Sequence, residues 1–100
     1  MKSESLLVIE DEAVLAEELV RHFQRGGWET ALAADLATAR KILRSGTLEP
    51  LVVLSDLSLP DGNGLDLLEE VRSSGEDDAE WIFLTGYGTI PDSVRALRLG

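Results

Sequence analysis

Three short apolar runs constrain this chain most: Leu6-Leu7-Val8-Ile9, Leu51-Val52-Val53-Leu54 and Trp81-Ile82-Phe83-Leu84. Each is about one strand long and is bounded by polar or turn-forming residues. Apolarity without alternation fits strands buried on both faces, as in a parallel sheet covered by helices. A further segment, Trp28 to Leu32, alternates in character and suits a half-exposed strand near a sheet edge. Helical stripes lie between and after these segments. Leu15, Leu19 and Phe23 recur at spacing four and stop at Gly26-Gly27. Asp35 is a good N-cap for a helix carrying Leu36, Ala39 and Leu43 on one face before Gly46. Asn63 opens a third stripe of Leu65, Leu68 and Val71 that ends near Ser73-Ser74-Gly75. Ile90, Val94 and Leu97 form a fourth, with Pro91 in its first turn, where a missing N–H costs little. The order β-α-β-α-β-α-β-α predicts an α/β fold with a parallel sheet, right-handed crossovers and helices on both faces.

Composition removes several classes of function. With 100 residues the chain suffices for one small domain. The net charge is −10 and the nine Lys and Arg form no basic run, which argues against direct nucleic-acid binding by this segment. The absence of cysteine excludes disulfide scaffolds, Cys-type zinc sites and thiol catalysis. No apolar run approaches ~20 residues, so no membrane span is expected, and the N-terminal apolar run is too short for a secretory signal. The cytoplasm is the expected location.

Ligands of open α/β sheets bind beyond the carboxyl ends of the strands. Glu10, Asp11 and Glu12 follow the first apolar run, Ser55, Asp56, Leu57 and Ser58 follow the run at 51–54, and Thr85 and Gly86 follow the last. Carboxylates therefore converge from two strand ends and a hydroxyl from a third. Clustered carboxylates repel unless a cation lies among them, and a hard divalent ion such as Mg²⁺ takes oxygen ligands. A carboxylate beside such an ion can act as a nucleophile toward phosphorus. Other features read more simply. Gly62 and Gly64 lack dinucleotide-binding spacing, Pro60-Asp61-Gly62 reads as a turn, and the Glu76-Asp77-Asp78 run with Glu80 reads as a solvated loop. His22 reads as a surface histidine, and Trp28 and Trp81 as core or boundary aromatics.

The same residues carry a family resemblance. Leu6-Leu7-Val8-Ile9-Glu10-Asp11-Glu12 resembles the first strand and acidic pair of the receiver domains of two-component response regulators. Asp56-Leu57-Ser58-Leu59-Pro60-Asp61-Gly62-Asn63-Gly64 resembles their phosphorylation loop, and Leu84-Thr85-Gly86-Tyr87-Gly88 their switch segment. The resemblance covers essentially the whole chain, 1–100, as one receiver domain. It implies a flavodoxin-like (CheY-like) doubly wound parallel sheet of order 2-1-3-4, the family's order without its last strand. It implies Asp56 as phosphoacceptor, Asp11 as a direct Mg²⁺ ligand, Glu10 acting on the metal mainly through water, and Ser58 offering a backbone carbonyl. Thr85 is implied as a hydrogen-bond donor to the phosphoryl group. The implied donor is a phosphohistidine on a sensor histidine kinase that docks near the first helix. The implied role is phosphorelay signalling, with the domain assisting its own Mg-dependent phosphorylation and dephosphorylation. The glycine-rich loops look most like those of regulators that control transcription.

Family members continue into a fifth strand, which ends in a lysine that contacts the phosphoryl group, and a fifth helix. The residues to Gly100 supply neither, and the lysines, Lys2 and Lys41, do not lie at strand C-termini. Nothing assigns Tyr87 to the place of the fifth strand's switch aromatic. The chain is accordingly expected to be a piece of a longer regulator. Phosphorylation is expected to be slower than in a complete receiver, and the apolar edge 81–84 is expected to favour self-association, such as dimerisation. Two other readings stand beside this one. A degenerate receiver would act only as an interaction or dimerisation module. An Asp-nucleophile phosphatase or phosphotransferase typically has a second carboxylate two residues after the nucleophile, where this chain has Ser58.

Overall fold

Every residue of β1 (Ser5–Ile9) is buried, because the strand runs through the middle of the sheet with helices on both of its faces. The computed structural model describes residues 4–75 and 79–84. Within them the chain continues through α1 (Ala13–Arg25), β2 (Glu29–Ala33), α2 (Leu36–Ser45), β3 (Val52–Asp56), β4 (Ser58–Leu59), β5 (Gly62–Asn63), α3 (Gly64–Ser74) and β6 (Glu80–Leu84). The main sheet has the order β2-β1-β3-β6, and every pairing in it is parallel. This is the expected order 2-1-3-4, with β6 as the fourth long strand.

Side-chain alternation divides the core between the two faces. Leu6, Val8 and Leu54 point to one side and pack with Leu19, Val20 and Phe23 of α1. Leu7, Ile9 and Val53 point to the other and pack with Leu36 and Ala39 of α2 and with Leu65 and Leu68 of α3. The helix ends follow local chemistry. The side chain of Asp35 accepts from the Thr38 amide at 2.8 Å, and that of Asn63 from the Leu65 amide at 2.8 Å. Gly46 and Gly75 end α2 and α3 in left-handed conformation. Trp81 is buried and Trp28 half-buried, as expected of core and boundary aromatics.

The sequence expectations need three corrections. Strand β3 extends two residues past the apolar run, so Asp56 is its last residue and pairs with Leu84. Strand β6 is not buried on both faces: it lies at the end of the sheet among the described residues, and Ile82 is 53% exposed. Residues 58–63 are more than a turn. Ser58 pairs with Asn63 and Leu59 with Gly62 in a small antiparallel hairpin. The expected helix carrying Ile90, Val94 and Leu97, and the 76–78 acid run, lie outside the described residues.

Gly64 shows how tightly this hairpin joins the sheet. A Cβ there would lie 2.6 Å from the Asp56 carbonyl oxygen, 2.8 Å from Ser55 Oγ and 3.0 Å from the Phe83 ring. Two of the three are held by a hydrogen bond from Ser55 Oγ to the Asp56 carbonyl at 2.9 Å. They cannot both retreat without disturbing the end of β3. Gly64→Ala is therefore expected to lower stability by about 1–3 kcal/mol, as overpacking does, read from the urea unfolding midpoint.

Candidate functional site

Parallel pairing places Ile9 opposite Ser55, so the next residue, Glu10, falls beside Asp56. Carboxylate oxygens of Glu10, Asp11 and Asp56 all lie within 4.8 Å of one another. Glu10 is only 3% exposed, Asp56 is half-buried, and Asp11 faces solvent. Local bonds fix the group. The Glu10 amide donates to the Ala33 carbonyl at 2.9 Å, tying the end of β1 to the end of β2. Glu10 Oε2 accepts from the Glu12 amide at 3.0 Å, where Glu12 is the N-cap of α1. Asp56 Oδ1 faces the Ser58 amide at 3.4 Å.

Burial pushes the Glu10 carboxyl above the ordinary glutamate range. The Glu12 amide opposes this, while the neighbouring charge of Asp56 and then Asp11 add to it. Three acidic side chains crowd one point with no cation side chain bonded to any of them among the described residues. An all-oxygen donor set of this kind fits a hard divalent cation and is poorly suited to a soft one. The structure thus brings together Glu10, Asp11 and Asp56 as the sequence led us to expect, with Ser58 at the adjacent hairpin. Thr85 lies outside the described residues, as do Gly86, Tyr87 and Gly88.

One residue of this region was missed by sequence reasoning. Asp61, read only as part of a turn, sends its carboxylate across to α2, where Oδ1 accepts from the Leu36 amide at 2.8 Å and Oδ2 from the Ala37 amide at 3.0 Å. No local pattern signals a cap supplied from 25 residues further along the chain.

Comparison with known proteins agrees with this geometry. The family described as the response regulator receiver domain matches residues 6–100. The chain belongs to that family. Among curated relatives of this receiver domain, the acid tolerance regulatory protein ActR of Rhizobium meliloti is 36% identical over 96 residues. That alignment covers 96% of this chain and 48% of ActR, so the receiver domain spans about half the length of that relative. The non-phosphorylated HemR receiver domain from Leptospira biflexa is 30% identical, with a TM-score of 0.83 over 98% of this chain and 77% of that one. A response regulator from Burkholderia pseudomallei, solved with a phosphorylated aspartic acid, calcium ion and citrate, is likewise 30% identical. It has a TM-score of 0.83 over 98% of this chain and 56% of that one. No helix among the described residues is long and apolar enough to cross a membrane.

The raised Glu10 carboxyl links the site to stability. A carboxyl that holds its proton more tightly when folded favours the folded state at low pH, and that contribution is lost as pH rises through the folded value. At neutral pH without divalent cation, ionised Glu10 therefore opposes folding. Glu10→Gln keeps an acceptor for the Glu12 amide and removes the charge. In EDTA at pH 7 it is expected to raise the urea midpoint, with the gain shrinking toward pH 4. A lower midpoint for the variant under both conditions would contradict this account.

Proposed function

We propose that this receiver domain accepts a phosphoryl group on Asp56 from the phosphohistidine of a sensor histidine kinase. The observation that carries the reading is the convergence of Glu10, Asp11 and Asp56 at the carboxyl ends of two adjacent parallel strands. A carboxylate oxygen of Asp56 attacks phosphorus as the P–N bond of the donor breaks, and the electron pair leaves with the imidazole nitrogen, which is then protonated. Asp11, Asp56 and the Ser58 carbonyl would hold Mg²⁺, with Glu10 acting on it through water, and the ion would supply positive charge to the incoming phosphoryl group. Half-burial of Asp56 leaves the nucleophile reachable while the strand fixes its backbone. Thr85 completes the set by hydrogen-bonding the phosphoryl group. The Burkholderia relative, with its phosphorylated aspartic acid and a divalent ion, supports this chemistry.

The acyl phosphate on Asp56 then switches the domain to control an output, which we assign to transcription, in the cytoplasm. The name of ActR, an acid tolerance regulatory protein, supports a regulatory output. Self-association belongs to the same proposal and is supported by the exposure of Ile82 on the end strand. A phosphotransfer-independent interaction module is the competing reading, and the two differ in their response to Mg²⁺.

The deciding experiment is intact-mass analysis after incubation with acetyl phosphate, with and without Mg²⁺, beside Asp56→Asn. The expected result is a gain of about 80 Da, one phosphoryl group, that needs Mg²⁺ and is abolished by Asp56→Asn. A protein that neither gains mass nor responds to Mg²⁺ would favour the interaction module.

A further inference from the structure

The β4–β5 hairpin has only two residues in each strand, too few to hold a fixed position alone. Its root lies at Asp56: the Ser58 amide faces Asp56 Oδ1 at 3.4 Å, and the Gly64 amide donates to the Leu57 carbonyl at 2.9 Å. Its tip is held by Asp61, through the two bonds to the Leu36 and Ala37 amides.

Helix α2 needs these bonds as much as the hairpin does. The amides of its first three residues have no partner within the helix, and the fourth makes the first regular bond, to the N-cap carbonyl. Asp61 accepts from Leu36 and Ala37, the Asp35 side chain accepts from Thr38, and the Asp35 carbonyl accepts from Ala39 at 3.2 Å. The bonds to Asp61 are charge-assisted and lie at the positive end of the helix. Apolar contact reinforces them. Leu57 and Leu59 of the hairpin are buried in the same cluster as Leu36, and a Cβ on Gly62 would come within 3.0 Å of Leu36 Cδ1.

From this geometry we infer that Asp61 is a positioning residue for the phosphoacceptor site. By pinning the hairpin tip to α2, it fixes the Ser58 carbonyl relative to Asp56 and so sets the affinity for Mg²⁺. Asp61 touches neither the metal nor the phosphoryl group. The inference rests on the phosphoacceptor reading above. With the tether cut, the short strands fray, Ser58 wanders, and the site loses a ligand held at a fixed place.

The test compares the intact wild-type chain with Asp61→Ala, Asp61→Asn and Asp35→Ala. Asp35→Ala removes a cap from the same helix end without touching the hairpin, so it controls for lost stability. Mg²⁺ affinity is read by calorimetric titration, phosphoryl uptake from acetyl phosphate by intact mass, and stability by urea unfolding. Both alanine variants should lower the urea midpoint. Only Asp61→Ala should weaken Mg²⁺ binding, by about tenfold, as loss of groups that support metal ligands does, and slow phosphoryl uptake with it. Asp61→Asn keeps one acceptor oxygen and should fall between it and the wild type. The inference is overturned if Asp61→Ala binds Mg²⁺ and takes up phosphoryl as the wild type does. It is equally overturned if Asp35→Ala weakens Mg²⁺ as much, since the effect then follows general stability. A wild-type chain that shows neither Mg²⁺ binding nor mass gain would remove the phosphoacceptor reading, and this inference with it.

Discussion

The register between β1 and β3 is the constraint on which the rest of this domain depends. Leu6 pairs with Val52 and Ile9 with Ser55, and the same alignment brings Glu10 beside Asp56. A slip of one residue would turn every β1 side chain to the opposite face. In a strand buried on both faces, apolar pattern alone does not punish such a slip, because either face accepts leucine or valine. Polar residues at the two ends of β1 supply the missing discrimination. Ser5 is fully buried and its hydroxyl donates to the Glu49 carbonyl at 2.9 Å, while Glu10 is held by the amide of Glu12. A slip would leave that hydroxyl, or that carboxylate, buried without a partner, which is far costlier than exchanging one aliphatic contact for another. The acidic cluster thus contributes to specifying the sheet, although its mutual repulsion opposes folding.

That repulsion is tolerable because the three carboxylates differ in setting. Asp11 is in solvent, where charge is screened, and Asp56 is partly so. Only Glu10 is deeply buried, and that burial holds its carboxyl above the ordinary glutamate range. The electrostatic tension is therefore concentrated on one side chain, the one whose expected contact with the metal runs through water.

How much of this was legible in the sequence depended on whether the determinant was local. Strands showed as apolar runs, and helix starts as Asp35 and Asn63, because each signal lies within a few residues of what it specifies. The site was legible for a topological reason: once the strands are parallel, Glu10, Asp11 and Asp56 must gather at one edge of the sheet. The end of β3 was not, because Ser55 and Asp56 interrupt the apolar run while backbone pairing continues to Leu84. The expected order 2-1-3-4 put the run 81–84 at the edge, as it is among the described residues, and the exposure of Ile82 follows from that position rather than from the unbroken apolar run, which alone suggested burial on both faces. The hairpin escaped because two-residue strands have no period to read, and its fixed place comes from Asp61, Leu57 and Leu59 meeting residues distant in the chain.

Among the described residues two polar links join α2 to later parts of the chain, and they are not equivalent. Arg40 forms a two-pronged pair with Glu70 of α3, at 2.7 and 3.2 Å, and Arg44 approaches the same carboxylate at 3.6 Å. Arg40 draws the Glu70 carboxyl below its ordinary range. These groups are all substantially solvated, so salt weakens the link and each partner is well hydrated when it opens. The Asp61 carboxylate instead meets backbone amides at the end of a helix, and its bond to Leu36 is partly shielded from water. Opening that link leaves helix amides without an intrahelical partner, a cost that salt does not remove. The α2–α3 contact is therefore the adjustable one, and the α2–hairpin contact the fixed one. This division places the firmer of the two links at the tip of the hairpin whose root adjoins the carboxylate that would receive the phosphoryl group.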